Sequence, residues 1–174
     1  MFLDESGLNF QMSPKYGRGY IGQRVYYASP VNRGNYHTVI SAINYQEVIS
    51  ALYGSWAGNG NIFLNYLEHC LCPKLHRNQT VIMDNVSFHK VDGVAQLLSD
   101  VGVELIYLPP YSPDLNPIEQ MWSKIKTYLR QAAARTTGQL QYALKTAFLN
   151  IVPEDLMGWF KHCGFSDQDF RVAL

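Results

Sequence analysis

Three carboxylates carry the chemistry this sequence could do: Asp4 in FLDESG, Asp84 in VIMDNVSFHK, and Glu119 in LPPYSPDLNPIEQMWSKIK. Carboxylates brought together in a partly buried place repel one another, raise each other's pKa and call for a cation. Ligands that are all oxygen select Mg²⁺ or Mn²⁺ over zinc. Two such ions about 3.5–4 Å apart clamp a phosphodiester, one generating a hydroxide or alkoxide nucleophile and the other stabilising the leaving oxygen. The implied reaction is phosphoryl transfer on nucleic acid. Each residue also has a plainer reading. Asp4 would start a turn before Ser6-Gly7, Asp84 an Asx turn into Asn85, and Glu119 would fill a capping box at the third position of a helix. Only the three taken together favour chemistry.

The elements that must position them can be read outward from Glu119. Residues 103–108 form a short apolar run bounded by prolines, the pattern of a strand covered on both faces. Pro109, Pro110, Pro113 and Pro117 then fix φ at four positions, so the loop has little freedom to lose on folding. Asn116 is a suitable N-cap and Pro117 a suitable first helical residue. The helix should run over 117–134, with Ile118, Met121, Trp122, Ile125, Leu129 and Ala132 as its core stripe. At about 100° per residue, Glu119, Ser123, Lys126 and Arg130 share another face. Upstream, residues 80–86 are a second apolar run with Asp84 near its carboxyl end, followed by helical spacing over 91–101 and by Gly102. Strand, helix, strand makes a βαβ unit with parallel strands and a right-handed crossover. Carboxyl ends of strands meet at one sheet edge, so Asp84 and the loop to Glu119 share it, and Asp4 joins if its strand lies beside that of Asp84.

The remaining segments supply the rest of an α/β fold. The first strand is expected to end near Asp4, with Ser6-Gly7 as a break. Residues 23–28 and 36–44 read as a hairpin that joins it in an antiparallel group. A loop over 54–60 and a helix over 62–72, stopped by Pro73, follow. Thr137 can cap a helix reaching 151, and Pro153 can begin a last one ending near Gly164. The expected architecture is a five-stranded mixed sheet, three antiparallel strands then two parallel, flanked by helices.

With 174 residues, 47% of them hydrophobic, the chain suits one domain with a substantial core, and no apolar run approaches the length of a membrane span. The N-terminus lacks the regions of a signal peptide, and three cysteines give no disulfide framework, so a cytoplasmic location with reduced thiols is expected. His69, Cys70, Cys72 and His76 lack paired CxxC units and read as helix packing rather than a zinc site. Fourteen basic residues balance fourteen acidic ones, so any hold on duplex DNA needs local charge. Lys124, Lys126, Arg130 and Arg135 give the third block a positive balance against Glu119. Lys15, Arg18, Arg24 and Arg33 interleave with Tyr16, Tyr20, Tyr26 and Tyr27, a composition compatible with backbone contact and base stacking or with a solvated hairpin.

The three blocks, in this order and with 34 residues between Asp84 and Glu119, closely resemble the signature of the DDE endonuclease domain of bacterial insertion-sequence transposases in the mariner superfamily. The likeness extends over roughly residues 1–165. It implies a ribonuclease H-like fold, divalent-metal-dependent hydrolysis at transposon ends, and transfer of the freed 3′-hydroxyl into target DNA at TA dinucleotides. Residue by residue, it makes Asp4, Asp84 and Glu119 the catalytic, metal-binding triad for Mg²⁺, with Mn²⁺ as substitute and two ions expected. Asn85 and His89 would support the site, and Lys126, with Lys124 and Arg130, would contact DNA phosphate. The implied partners are double-stranded DNA, at transposon ends and target, and a second protomer or a separate helix-turn-helix subunit. Such helix-turn-helix modules ordinarily precede the catalytic domain and are absent from this sequence, so 1–174 is expected to be one catalytic domain, cytoplasmic and nucleoid-associated. Two other readings stand beside it: a truncated transposase acting as an interaction or inhibitory subunit, and a ribonuclease H-like host nuclease, which fits the triad but not the length and wording of the third block.

Overall fold

The computed structural model, which describes residues 1–32 and 34–165, forms FLDESGL as β1 (Phe2–Leu8), a strand covered on both faces, with Phe2 and Leu8 in one core and Leu3 in the other. The strand does not stop at Asp4. Ser6 and Gly7 pair with Val39 and Thr38 of β2 (His37–Ile43), so ladder bonds override the local turn tendency of Ser-Gly. From β2 the chain turns through Asn44, whose side-chain oxygen accepts from the amides of Gln46 and Glu47 at 2.7 Å, into β3 (Val48–Gly54). The hairpin expected between 23–28 and 36–44 is therefore replaced by β2 and β3. Residues 23–28 are exposed and form no strand, because β2, all seven residues of which are buried, is already paired on both sides, with β1 and β3.

β4 (Thr80–Met83) lies parallel to β1 on its other side, and β5 (Glu104–Tyr107) lies parallel to β4, giving the order β3-β2-β1-β4-β5. Three antiparallel strands followed by two parallel ones is the sheet the sequence implies. β5 is an edge strand with Glu104 and Ile106 exposed, not the doubly covered strand its apolar run indicates. α2 (Val94–Val101) makes the βαβ crossover and ends at Gly102 in the left-handed region, φ +82°, where glycine carries no Cβ penalty.

Helices cover both faces. On one side lie α1 (Gly60–Tyr66), its continuation through a π turn (Leu67–Leu71), and α2, packed around Leu3, Ile40, Phe63, Tyr66 and Met83. On the other lie α3 (Pro117–Ala132), α4 (Thr137–Leu149) and α5 (Pro153–His162), around Phe2, Val39, Trp122, Leu144 and Phe160. The α3 stripe is buried as its spacing demands, except Ala132, which is exposed in the last turn. Thr136, one residue before the expected cap, accepts from the Gln139 amide and starts α4. No helix among the described residues is long and apolar enough to cross a membrane.

Candidate active site

Parallel pairing fixes the first two carboxylates at one level. Leu3 stands opposite Met83, so the next residues along each strand direction, Asp4 and Asp84, are side by side at the carboxyl edge of the sheet. Glu119 reaches the same edge from the other direction. Met83 pairs with Tyr107, the chain leaves β5 through the proline-rich loop and a 3₁₀ turn (Pro113–Leu115), and α3 begins at once. Asp84 and Glu119 line a groove of about 340 Å³ together with Asn85, Leu108, Tyr111 and Asn116.

Asp4 is buried, and its Oδ2 accepts a hydrogen bond of 3.0 Å from the indole nitrogen of Trp122, one turn along α3 from Glu119. Burial, then the charge of Glu119, with smaller contributions from Glu5 and Asp84, pushes the Asp4 carboxyl up to about 7 against the opposing amide of Glu5. Asp4 therefore feels both of the other carboxylates. Glu119 is exposed, and the capping-box reading fails for it: the Asn116 side chain makes no cap bond, and its Oδ1 is buried without a partner.

Asp84 is held by His89 of a short 3₁₀ turn (Ser87–Lys90). His89 Nδ1 lies 2.7 Å from the Asp84 carboxylate, and its Nε2 lies 2.8 Å from Glu5 Oε2. The imidazole is fully buried, tilted against Phe63 at 4.4 Å between centroids, while Glu5 is 9% and Asp84 38% exposed at the side chain. Burial favours neutral imidazole, but the two carboxylates outweigh it and raise His89 to about 9. Burial likewise pushes Asp84 up, but the His89 imidazole and the Val86 amide, which donates to its Oδ1, together bring its net value below the ordinary range. Glu5 is the residue that sequence reasoning missed. Once β1 is seen to run to Leu8, alternation sets Glu5 on the face opposite Asp4, where an acid must find a partner.

Of the other expected residues, Asn85 lines the groove with its Oδ1 buried and unpartnered. Lys126 and Arg130 are half-buried on α3 and make no ion pair among the described residues. Lys124 is ion-paired with Asp155 and ties α3 to α5, so its charge already has a partner. His69 is exposed, and Cys70 and Cys72 are half-buried free thiols.

Among the described residues no three His, Cys, Asp or Glu side chains stand close enough to grip a metal ion as they are. In this arrangement Asp4 is turned onto Trp122 and Asp84 onto His89. The donor set nevertheless suits a hard divalent cation, with carboxylate oxygens at one edge and two orphaned amide oxygens, of Asn85 and Asn116, beside them.

A mixed sheet in this order with helices on both faces is a ribonuclease H-like fold, here with acidic residues at the carboxyl edge of its central strands. The family model of the DDE superfamily endonuclease matches residues 1–141, and the chain belongs to that family. A transposase of the transposable element Tcb1, from Caenorhabditis briggsae, is 31% identical over 94 residues, 52% of this chain and 34% of that protein. The Mos1 transposase paired-end complex with the left transposon end has the same fold, at a TM-score of 0.78 and 20% identity over 93% of this chain and 51% of that one. The Mos1 mariner paired-end complex with Mn gives 0.77 and 20%, again over 93% and 51%. The chain thus spans about a third to a half of the length of these relatives.

Proposed function

We propose that the chain is the catalytic domain of a mariner-type transposase, which cuts DNA at the ends of a mobile element and joins the freed 3′-hydroxyl to target DNA. The observation that carries this reading is the Leu3 to Met83 register, which sets Asp4 level with Asp84 at the edge to which α3 delivers Glu119. In this reading Asp4, Asp84 and Glu119 hold two Mg²⁺ ions, for which Mn²⁺ substitutes, as the Mn named with the Mos1 complex supports. The bound ions would supply the Lewis acidity that sharpens an attacking water or 3′-hydroxyl and neutralises the leaving oxygen.

The chain's own residues do the rest. Trp122 keeps Asp4 oriented through its indole N–H, and His89 fixes the direction of Asp84. Asn85, whose carboxamide oxygen is free in the groove, supports the site from the Asp84 side. Lys126 and Arg130 hold DNA phosphate below Glu119, and Lys124 does so only after leaving Asp155. The three prolines of the groove wall, Pro109, Pro110 and Pro113, keep the catalytic edge stiff while DNA is exchanged. Residues 1–174 act as one catalytic domain on double-stranded DNA, with a second protomer or a separate end-binding subunit as partner, in a nucleoid-associated, cytoplasmic setting.

The test is strand cleavage of a labelled duplex in Mg²⁺ or Mn²⁺. The unaltered chain should nick it, and Asp84→Asn and Glu119→Gln should abolish the nicking while leaving the melting temperature in chelator within a few degrees. Absence of metal-dependent cleavage together with no thermal stabilisation by Mn²⁺ would refute the assignment.

A further inference from the structure

The 28 residues joining β1 to β2, Asn9 to Tyr36, contain four of the chain's fourteen basic residues and none of its acidic ones. The other 146 residues carry ten basic against fourteen acidic, so a chain with no net charge is divided into a positive arm and a negative body. Every residue from 15 to 29 is exposed, including Tyr16 at 91%, Tyr20 at 83% and Tyr26 at 82%. Six large apolar or aromatic side chains left in water within the dozen residues 16–27 are more than a scatter of surface hydrophobics.

The arm has a definite shape. A turn from Tyr20 to Gln23, with Gly22 at φ +83°, doubles it back. Gly17 and Gly19 then lie against Val25 so closely that a Cβ on Gly17 would sit 2.5 Å from the valine methyl. Its base is tied down. Arg135 donates to the carbonyls of Phe10 and Met12 at 2.9 Å and to the hydroxyls of Ser13 and Tyr27, and the Ser13 and Ser29 hydroxyls bond each other. At the tip, the Arg24 guanidinium lies 5.7 Å from the Tyr26 ring centroid. The base is anchored and the cationic, aromatic end is free.

Its position follows from topology. β1 passes the level of Asp4 and continues to Leu8, roughly 13 Å farther at ~3.3 Å per residue, so the arm leaves the sheet beyond the edge that carries the three carboxylates. A polyanion lying across those carboxylates needs positive charge to offset the negative body, and the arm is where the chain keeps it.

We infer that residues 15–27 form a DNA-contacting arm, with Lys15, Arg18 and Arg24 on the phosphate backbone and Tyr16, Tyr20 and Tyr26 packing on sugars and on bases that leave the stack. The choice of DNA rests on the nuclease reading of the site. The binding claim is testable without that reading. No sequence preference is implied, because backbone and stacking contacts position a duplex without specifying it.

The experiment is a salt titration of binding to a fluorescein-labelled 40-bp duplex of random sequence, followed by anisotropy in chelator so that no cleavage occurs. The triple variant Lys15→Gln/Arg18→Gln/Arg24→Gln should lower the slope of log Kd against log salt by about 2.7, at about 0.9 per lost contact. Its affinity near 0.15 M salt should fall roughly 10- to 100-fold, with the melting temperature unmoved. Tyr16→Ala/Tyr20→Ala/Tyr26→Ala should weaken binding with the slope intact, and photocrosslinks from bromodeoxyuridine DNA should map to 15–27. No binding by the unaltered chain, or an unchanged slope in the triple variant, overturns the inference. So does an unchanged slope joined to a loss of self-association in sedimentation, which would make the arm a contact between copies. The two readings fail separately. Arm-dependent binding without cleavage leaves the arm and removes the nuclease, while cleavage with arm-independent binding does the reverse.

Discussion

Glu5 offers the sharpest test of how the site is held. Its carboxylate lies 2.8 Å from Nε2 of an imidazole that is wholly inaccessible to water, and the other nitrogen of that ring holds Asp84. Glu5→Ala leaves His89 with a buried, unpaired N–H, and removing one partner of such a pair costs about 3–5 kcal/mol. For a domain of this size each kcal/mol moves the melting point by about 2–4 °C, so the drop should be about 6–20 °C. Glu5→Gln keeps an oxygen for the N–H to donate to and loses only the charge, so it should cost about 1–2 kcal/mol. Because the pair acts through one ring, Glu5→Ala should cost far less in a His89→Phe background, with a coupling of roughly 0.5–3 kcal/mol. Freed from its anchor, the imidazole no longer fixes Asp84, so Mn²⁺ affinity measured by electron paramagnetic resonance should fall about 10- to 100-fold in Glu5→Ala. Partial rescue of that affinity in Glu5→Gln would mark Glu5 as a positioning residue rather than a packing one. Equal costs below about 1 kcal/mol for both substitutions, or additivity with His89→Phe, would refute the reasoning.

The sheet was legible where pattern and ladder agree and illegible where they compete. Residues 80–83 and 104–107 announce themselves as apolar runs around a helical stretch, and β4 and β5 form there. Ser6-Gly7 carries a turn signal, yet both residues are paired with β2, and this extension of β1 is what turns Glu5 towards His89. The tyrosines of 23–28 carry strand propensity without a partner strand, while Val48–Gly54, which lacks strict alternation, becomes β3 because the Asn44 turn feeds it back onto β2. The candidate triad was legible as residue types and spacing. Its supports, Trp122 on Asp4 and Glu5 on His89, join residues 118 and 84 positions apart, and only the folded register brings those together.

Two further outcomes follow from the same contacts. Trp122→Phe keeps an aromatic ring in the α3 core but removes the N–H that donates to buried Asp4, so denaturation in chelator should show a loss of about 1–3 kcal/mol. Asp155→Asn tests the tie between α3 and α5 through its dependence on pH. Burial pushes the Asp155 carboxyl up, but hydrogen bonds from Lys124 and from the Val152 amide outweigh it and hold the group below its ordinary value of 3.8. A carboxyl depressed in the folded state binds its proton less readily there than in the unfolded chain, so its stabilisation is fully present above the unfolded pKa and disappears as pH falls through the folded one. Because Lys124 is 40% exposed, solvent screening limits the effect to about 1 kcal/mol or less. Urea titrations should therefore find the wild type more stable than Asp155→Asn at pH 7, with the gap closing below about pH 4. A gap that persists undiminished in acid would mean that the asparagine loses packing at the start of α5, and that the ion pair with Lys124 contributes nothing to holding the two helices together.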